Sequence, residues 1–154
     1  MRVLGTWRRL AKDRRGAAII ELAIAAPVFA GLLVGMVDLG RAYSTKLELE
    51  QAAQRSIEKV MNGQADTTTT TALQTEAATT AGVPTSQVAV DFWLECDGTR
   101  AANYNSPCNP GQTSRRYMNV AITKSFSPMF SARWAGSNPD GTFTLVGKTG
   151  VRIQ

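Results

Sequence analysis

Histidine is missing from this chain of 154 residues. Its absence removes the commonest general base, the usual serine and cysteine triads and the most frequent nitrogen ligand of zinc. Cysteine is almost as scarce. Cys96 and Cys108 are the two present, with eleven residues between them, a spacing that fits neither a zinc site nor a CxxC redox pair. No P-loop, no GxSxG elbow and no glycine-rich fingerprint after a strand occurs. Asp91 and Glu95 lie two alternation steps apart on one strand face, and paired carboxylates can serve glycoside hydrolysis. On an outward-facing strand they read instead as solvated charges. The sequence therefore gives no reason to expect an enzyme, a metal, a cofactor or a small-molecule substrate.

Charge is also missing where a soluble protein would carry it. From Leu22 to Val37 sixteen residues pass without one, and from Ala17 to Val37 Glu21 is the only charged side chain. A helix over those twenty-one residues spans ~31 Å, the thickness of a bilayer's hydrocarbon core. Pro27 lies inside it, which lipid tolerates where neighbours satisfy the freed carbonyl, so a kink is expected. Gly31 and Gly35 form a GxxxG pair that lets two helices approach closely. Asp38, Arg41 and Tyr43 mark the exit from the apolar core.

The net charge of +5 suggests nucleic acid until its position is read. Before Ala17 stand Arg2, Arg8, Arg9, Lys12, Arg14 and Arg15 against Asp13 alone, and the rest of the chain balances eleven bases with eleven acids. A basic block at one end of a membrane segment is a topology signal that places that end in the cytoplasm. No basic patch with interleaved aromatics follows, so no nucleic-acid partner is expected. If residues after the segment are exported, a disulfide between Cys96 and Cys108 is the better reading, with two buried thiols as the alternative.

Four regions follow: a basic cytoplasmic leader over 1–16, a transmembrane helix over 17–40, a continuing amphipathic helix over 41–62 and a periplasmic α+β head over 63–154. The continuing helix contains no Gly or Pro between Ser44 and Met61 and ends at Asn62-Gly63. Leu49, Ala53, Ile57, Val60 and Met61 fall on one face, opposite Glu50, Gln54 and Glu58. The threonine run Thr67–Thr71 is a linker or the start of a poor helix, and a second short helix runs up to Gly82. Strands are expected at 88–96, 116–126 and 142–153, with a Cys-bearing loop at 98–112 and turn chemistry at 135–141. An antiparallel sheet of about three strands would then be covered by the stripe on 49–61.

Glu21 is costly in lipid unless it is interfacial or paired. A cut between Gly16 and Ala17 would supply a partner, because a new α-amino group would stand one helical turn from Glu21. The stretch RRGAAIIELAIAAPVFAGLLVGMVDLGRAYSTKLELEQAAQRS, Arg14 to Ser56, resembles the N-terminal module of TadE-like proteins, pilin-like components of the bacterial tight-adherence (Flp) pilus apparatus. The resemblance rests on Arg-Arg-Gly, the small and apolar residues, Glu21, the Ala-Pro within the helix, the acidic residue followed by Gly-Arg at its exit, and Gln-Ala-Ala beyond. It implies a single-pass inner-membrane pseudopilin with its head in the periplasm, cleaved by a prepilin peptidase at Gly16–Ala17 and docked through Glu21. Its implied partners are the membrane, that peptidase, other pilin-like subunits and the Tad secretion platform. Leu22 stands where the major pilin of these systems has Tyr, and the chain is far longer than that pilin, so the resemblance points to a minor component, possible as part of the pilus or only of its assembly. Two other readings compete: an uncleaved, membrane-anchored binding module of the envelope, and a secreted enzyme whose ordinary signal peptide is removed near Ala30. The apolar run continues past Ala30, which weighs against the last.

Overall fold

A computed structural model describes residues 16–62, 70–130 and 135–153 of the chain. The expected basic leader up to Arg15, the stop at Gly63 and the threonines before Thr70 lie outside the described residues. The chain divides into two compact units, the second beginning at Arg41.

Helix α1, Ala17–Met61, contributes to both. Its helical assignment continues through Pro27. In the first unit its large apolar residues are exposed on every side, as at Ile20, Ile24, Phe29 and Leu33. A helix that is apolar all round needs lipid or other helices about it. Its apolar window has a mean hydropathy of 2.2, and none of that window is buried within the protein.

In the second unit α1 is one wall of a two-layer α+β head. Helix α2, Thr70–Ala81, is followed by a 3₁₀ turn at Thr85–Gln87 and then by strands β1 (Val88–Cys96), β2 (Thr99–Arg100), β3 (Ser114–Phe126) and β4 (Phe143–Arg152). The strands form one antiparallel sheet in the order β2-β1-β3-β4. Helix α2 stops at Gly82, whose φ of +63° is free of the Cβ penalty, and the Val83 amide donates back to the Ala78 carbonyl at 3.0 Å.

Alternation decides which sheet face is covered. Val88, Leu94, Met118, Val120 and Ile122 point inward and are buried, with Val90 and Phe92 partly so. Registers such as Val88 opposite Ile122 and Val90 opposite Val120 keep these side chains on one face. From the helix side Leu49, Ala52, Ala53, Ile57 and Val60 close the core, joined by Leu73, Ala77 and Ala78 of α2. Ser56 is buried among them, and its hydroxyl donates to the Ala52 carbonyl at 2.9 Å, so no polar group is left without a partner there. Lys59 of α1 pairs with Glu76 of α2 at the surface.

One expectation is corrected, and the antiparallel sheet of about three strands is found with four. Met61 is 55% exposed and lies outside the stripe, which is completed by Ala52 and Ser56. The turn from Val60 to Met61 moves the side chain ~100° around the helix, away from the sheet. The sheet also has a fourth strand, β2, too short to be seen by alternation. It is made by the Asp97-Gly98 turn, whose φ values of +50° and +82° have the signs of a type I′ hairpin turn.

Candidate functional site

The resemblance placed the functional residues at the start of α1. The helix begins at Ala17, immediately after an exposed Gly16. The first turn contains no acidic residue, and Glu21 opens the second. The first four amides of a helix have no intrahelical acceptor and form its positive end. Glu21 is thus a single exposed carboxylate one turn from a partly positive helix end, in otherwise apolar surroundings. A Cβ added at Gly16 would meet nothing within 4 Å, so the backbone there is open to approach. Added Cβ atoms at Gly31 and Gly35 would also meet nothing, and the small-residue face they form has no occupant within the described protein.

The head has its own candidate features. Cys96 and Cys108 are joined in a disulfide with a Cα–Cα distance of 5.6 Å. It ties the end of β1 to the loop between β2 and β3, and closing a loop of this length stabilises a domain by ~3 kcal/mol in the chain-entropy model. Asp97 fastens the same loop twice. Its amide donates to the Thr113 carbonyl at 3.1 Å, and its carboxylate accepts from the Thr113 amide at 2.9 Å. Tyr104 folds back from the loop onto Phe92, with ring centroids 5.7 Å apart, and Arg116 lies over the tyrosine ring at 5.5 Å. The loop is therefore a cap on one end of the sheet.

The carboxylates Asp91 and Glu95 are committed to neighbours. Both oxygens of Asp91 accept from Arg100 Nη2, at 2.9 and 3.0 Å, and Glu95 accepts from the Trp93 indole at 2.9 Å. Arg100 also lies over the Trp93 ring, which stacks on Tyr117 with centroids 5.2 Å apart. Trp93 thus has Arg100 and Tyr117 packed on its ring, and the cluster braces the outer face of the sheet. At the β3–β4 turn the Thr142 hydroxyl and then its amide hold the Asp140 carboxyl below its ordinary pKa. Among the described residues no group of three or more Cys, Asp or Glu is placed to hold a metal ion.

One positioning residue escaped the sequence reading. Gly147, in the middle of β4, lies against α1: a Cβ there would stand 2.6 Å from the backbone nitrogen of Glu50. A Gly inside an alternating strand is a signal of close backbone approach, and the stretch TLVGKT carried that signal.

Residues 16–57 match the family model of the TadE-like protein. No curated protein and no solved structure matches the chain. The matched segment holds Gly16, Ala17, Glu21, Gly31 and Gly35, together with the first part of the stripe that enters the head core. The match leaves the sheet and the Cys-bearing loop of the head outside it.

Proposed function

We propose that this chain is a minor, pilin-like subunit used in assembling tight-adherence pili. The observation that carries the reading is the TadE-like match over residues 16–57, lying on a helix assigned without a break from Ala17 to Met61. In this reading the apolar part of α1 spans the inner membrane once. The end bearing Arg14 and Arg15 faces the cytoplasm, and the head faces the periplasm, where the Cys96–Cys108 bond persists.

A prepilin peptidase cuts between Gly16 and Ala17. The cut removes the basic block and leaves the apolar helix in place. It also converts the amide of Ala17 into a charged amine at the positive end of the helix. Glu21 then has a counter-charge, either its own terminus or that of an adjacent subunit. In low dielectric such a pair offsets the cost of holding the carboxylate in lipid and fixes the axial register of neighbouring helices. Gly31 and Gly35 let a neighbouring helix come close. The head takes no part in chemistry, and its core holds the outer half of the same helix through Leu49, Ala53 and Ile57.

The test is removal of the gene from a bacterium that makes such pili. Surface pili and tight adherence should fall sharply while the major pilin continues to be made and held in the membrane, and the full chain supplied in trans should restore both. Unchanged pili and adherence would overturn the reading in favour of an anchored binding module.

A further inference from the structure

The outer face of the sheet carries a polar cleft at the end of β3 away from the disulfide. Thr123 and Ser125 alternate with the buried Ile122 and Phe126 and so stand on that face, and Thr144 of β4 lies opposite Ser125. Gln87 comes just before β1, whose Val88 pairs with Ile122, and it borders the cleft from that side. Asn138 and Asp140, from the segment leading into β4, border it as well. The cleft measures about 440 Å³, within the range of small-molecule sites. Its described lining is made of amides, hydroxyls and one carboxylate, with Pro139 as the single apolar residue and no Lys or Arg.

Part of this lining is fixed in advance. Asn138 Nδ2 donates to the hydroxyls of Thr142 and Thr144 at 2.9 and 3.1 Å, and its backbone amide donates to the Thr142 carbonyl at 2.7 Å. One oxygen of Asp140 accepts from the Thr142 hydroxyl at 2.7 Å and from its amide at 3.1 Å, which leaves the other oxygen open. The side-chain amide of Gln87 and the hydroxyls of Thr123 and Ser125 have no hydrogen-bond partner among the described residues. We propose that this cleft binds an uncharged carbohydrate, with room for about one or two sugar rings. A sugar ring presents neighbouring hydroxyls that donate and accept at once. They can donate to the open oxygen of Asp140 and exchange bonds in both senses with Gln87, Thr123 and Ser125. Other ligand classes fit worse. An anion would meet Asp140 and no cation, a metal ion would find a single carboxylate, and an apolar ligand would leave the polar lining without partners. The site lies wholly within the head, so it stands apart from the readings of the membrane span and of the cut at Gly16–Ala17.

The full chain in micelles of a sugar-free detergent tests it, with N,N′-diacetylchitobiose and maltose as probes and saturation-transfer NMR as the readout. Saturable binding of at least one sugar in the millimolar range is expected, because the described lining offers hydrogen bonds and no aromatic ring for stacking. Preference for diacetylchitobiose identifies cell-wall glycan as the source, and preference for maltose a neutral glucan outside the cell; either supports the inference. Asp140→Asn and Thr123→Val should each weaken binding by about tenfold. Thr123→Val keeps a β-branched side chain on the strand, so it reports on the site even where Asp140→Asn disturbs the turn. Arg115→Ala, at the other end of β3, should bind like the parent. Saturable binding of neither sugar overturns the inference. Binding that all three variants leave unchanged also overturns it, because the sugar is then held elsewhere. A response to N-acetyltriglycine amide in place of the sugars overturns it in favour of an extended peptide.

Discussion

Replacing Gly147 by valine is expected to destroy the packed head, and even alanine should cost it a large part of its stability. Gly147 faces inward on β4, opposite the buried Ile122. An added Cβ would meet the Leu49 side chain, the Leu49 carbonyl carbon at 2.5 Å and the Glu50 nitrogen at 2.6 Å. Two of these three atoms belong to helix backbone, so no rotamer change relieves the contact, and either α1 or β4 must move away. Movement would open the seam in which Leu49, Ala53 and Ser56 are sealed. Overpacking of this kind costs ~3 kcal/mol for the single methyl, a substantial share of the ~5–15 kcal/mol by which domains are stable. Thermal unfolding of the full chain in detergent micelles, followed by tryptophan fluorescence, should show the Gly147→Ala midpoint lowered by about 10 °C or more. Gly147→Val should show no cooperative transition. Val146→Ala, at the exposed neighbouring position, should melt like the parent. An unchanged midpoint for Gly147→Ala would mean that α1 does not press on β4.

Replacing Glu21 by glutamine should separate making the protein from using it. Glutamine keeps the shape and hydrogen-bonding capacity but removes the charge, and it lowers the cost of placing the helix in lipid. The variant should therefore reach the membrane in parental amounts and begin at the same residue. Its incorporation into pilus-associated complexes should fall by about tenfold or more, because an ion pair with an amine is worth several times more in low dielectric than at a surface. Glu21→Asp, which retains the charge on a shorter arm, should recover part of the loss. Equal incorporation of parent and Glu21→Gln, measured by co-isolation with partner subunits, would reduce Glu21 to an interfacial side chain without a docking role.

The parts of the fold that were legible are those where side-chain period and burial coincide. VAVDFWLEC alternates because one face meets a core and the other water, and β1 occupies that stretch, Val88–Cys96. The stripe on α1 was readable at Leu49, Ala53, Ile57 and Val60 for the same reason. It was not readable at Ala52 and Ser56, a small residue and a polar one that are nonetheless buried in the core. Hydropathy ranks residues by preference for water and is blind to packing. Strand β2 was missed because two residues cannot show a period, although Asp97-Gly98 announced a hairpin turn. The contact of Arg41 with Phe126 joins residues far apart in the chain, and nothing local foretold it.

The candidate site was legible for a different reason. Its signals are consecutive in sequence: Arg-Arg-Gly, then small residues, then Glu21, then an uncharged run. The match at residues 16–57 falls on that stretch. The head beyond residue 57 carries no comparable linear signal. Its disulfide, its braced outer face and its capping loop explain how it is held together, and its part in assembly rests on the helix it shares with the matched segment.

The central claim is that the chain is cut at Gly16–Ala17 while its apolar helix stays in the membrane. The most direct measurement is the N-terminal residue of the membrane-bound protein, read by mass spectrometry from cells with and without their prepilin peptidase. The account predicts a protein beginning at Ala17 when the peptidase is present, and one still carrying Arg14, Arg15 and Gly16 when it is absent. A membrane-bound protein that keeps those three residues in both strains would contradict it.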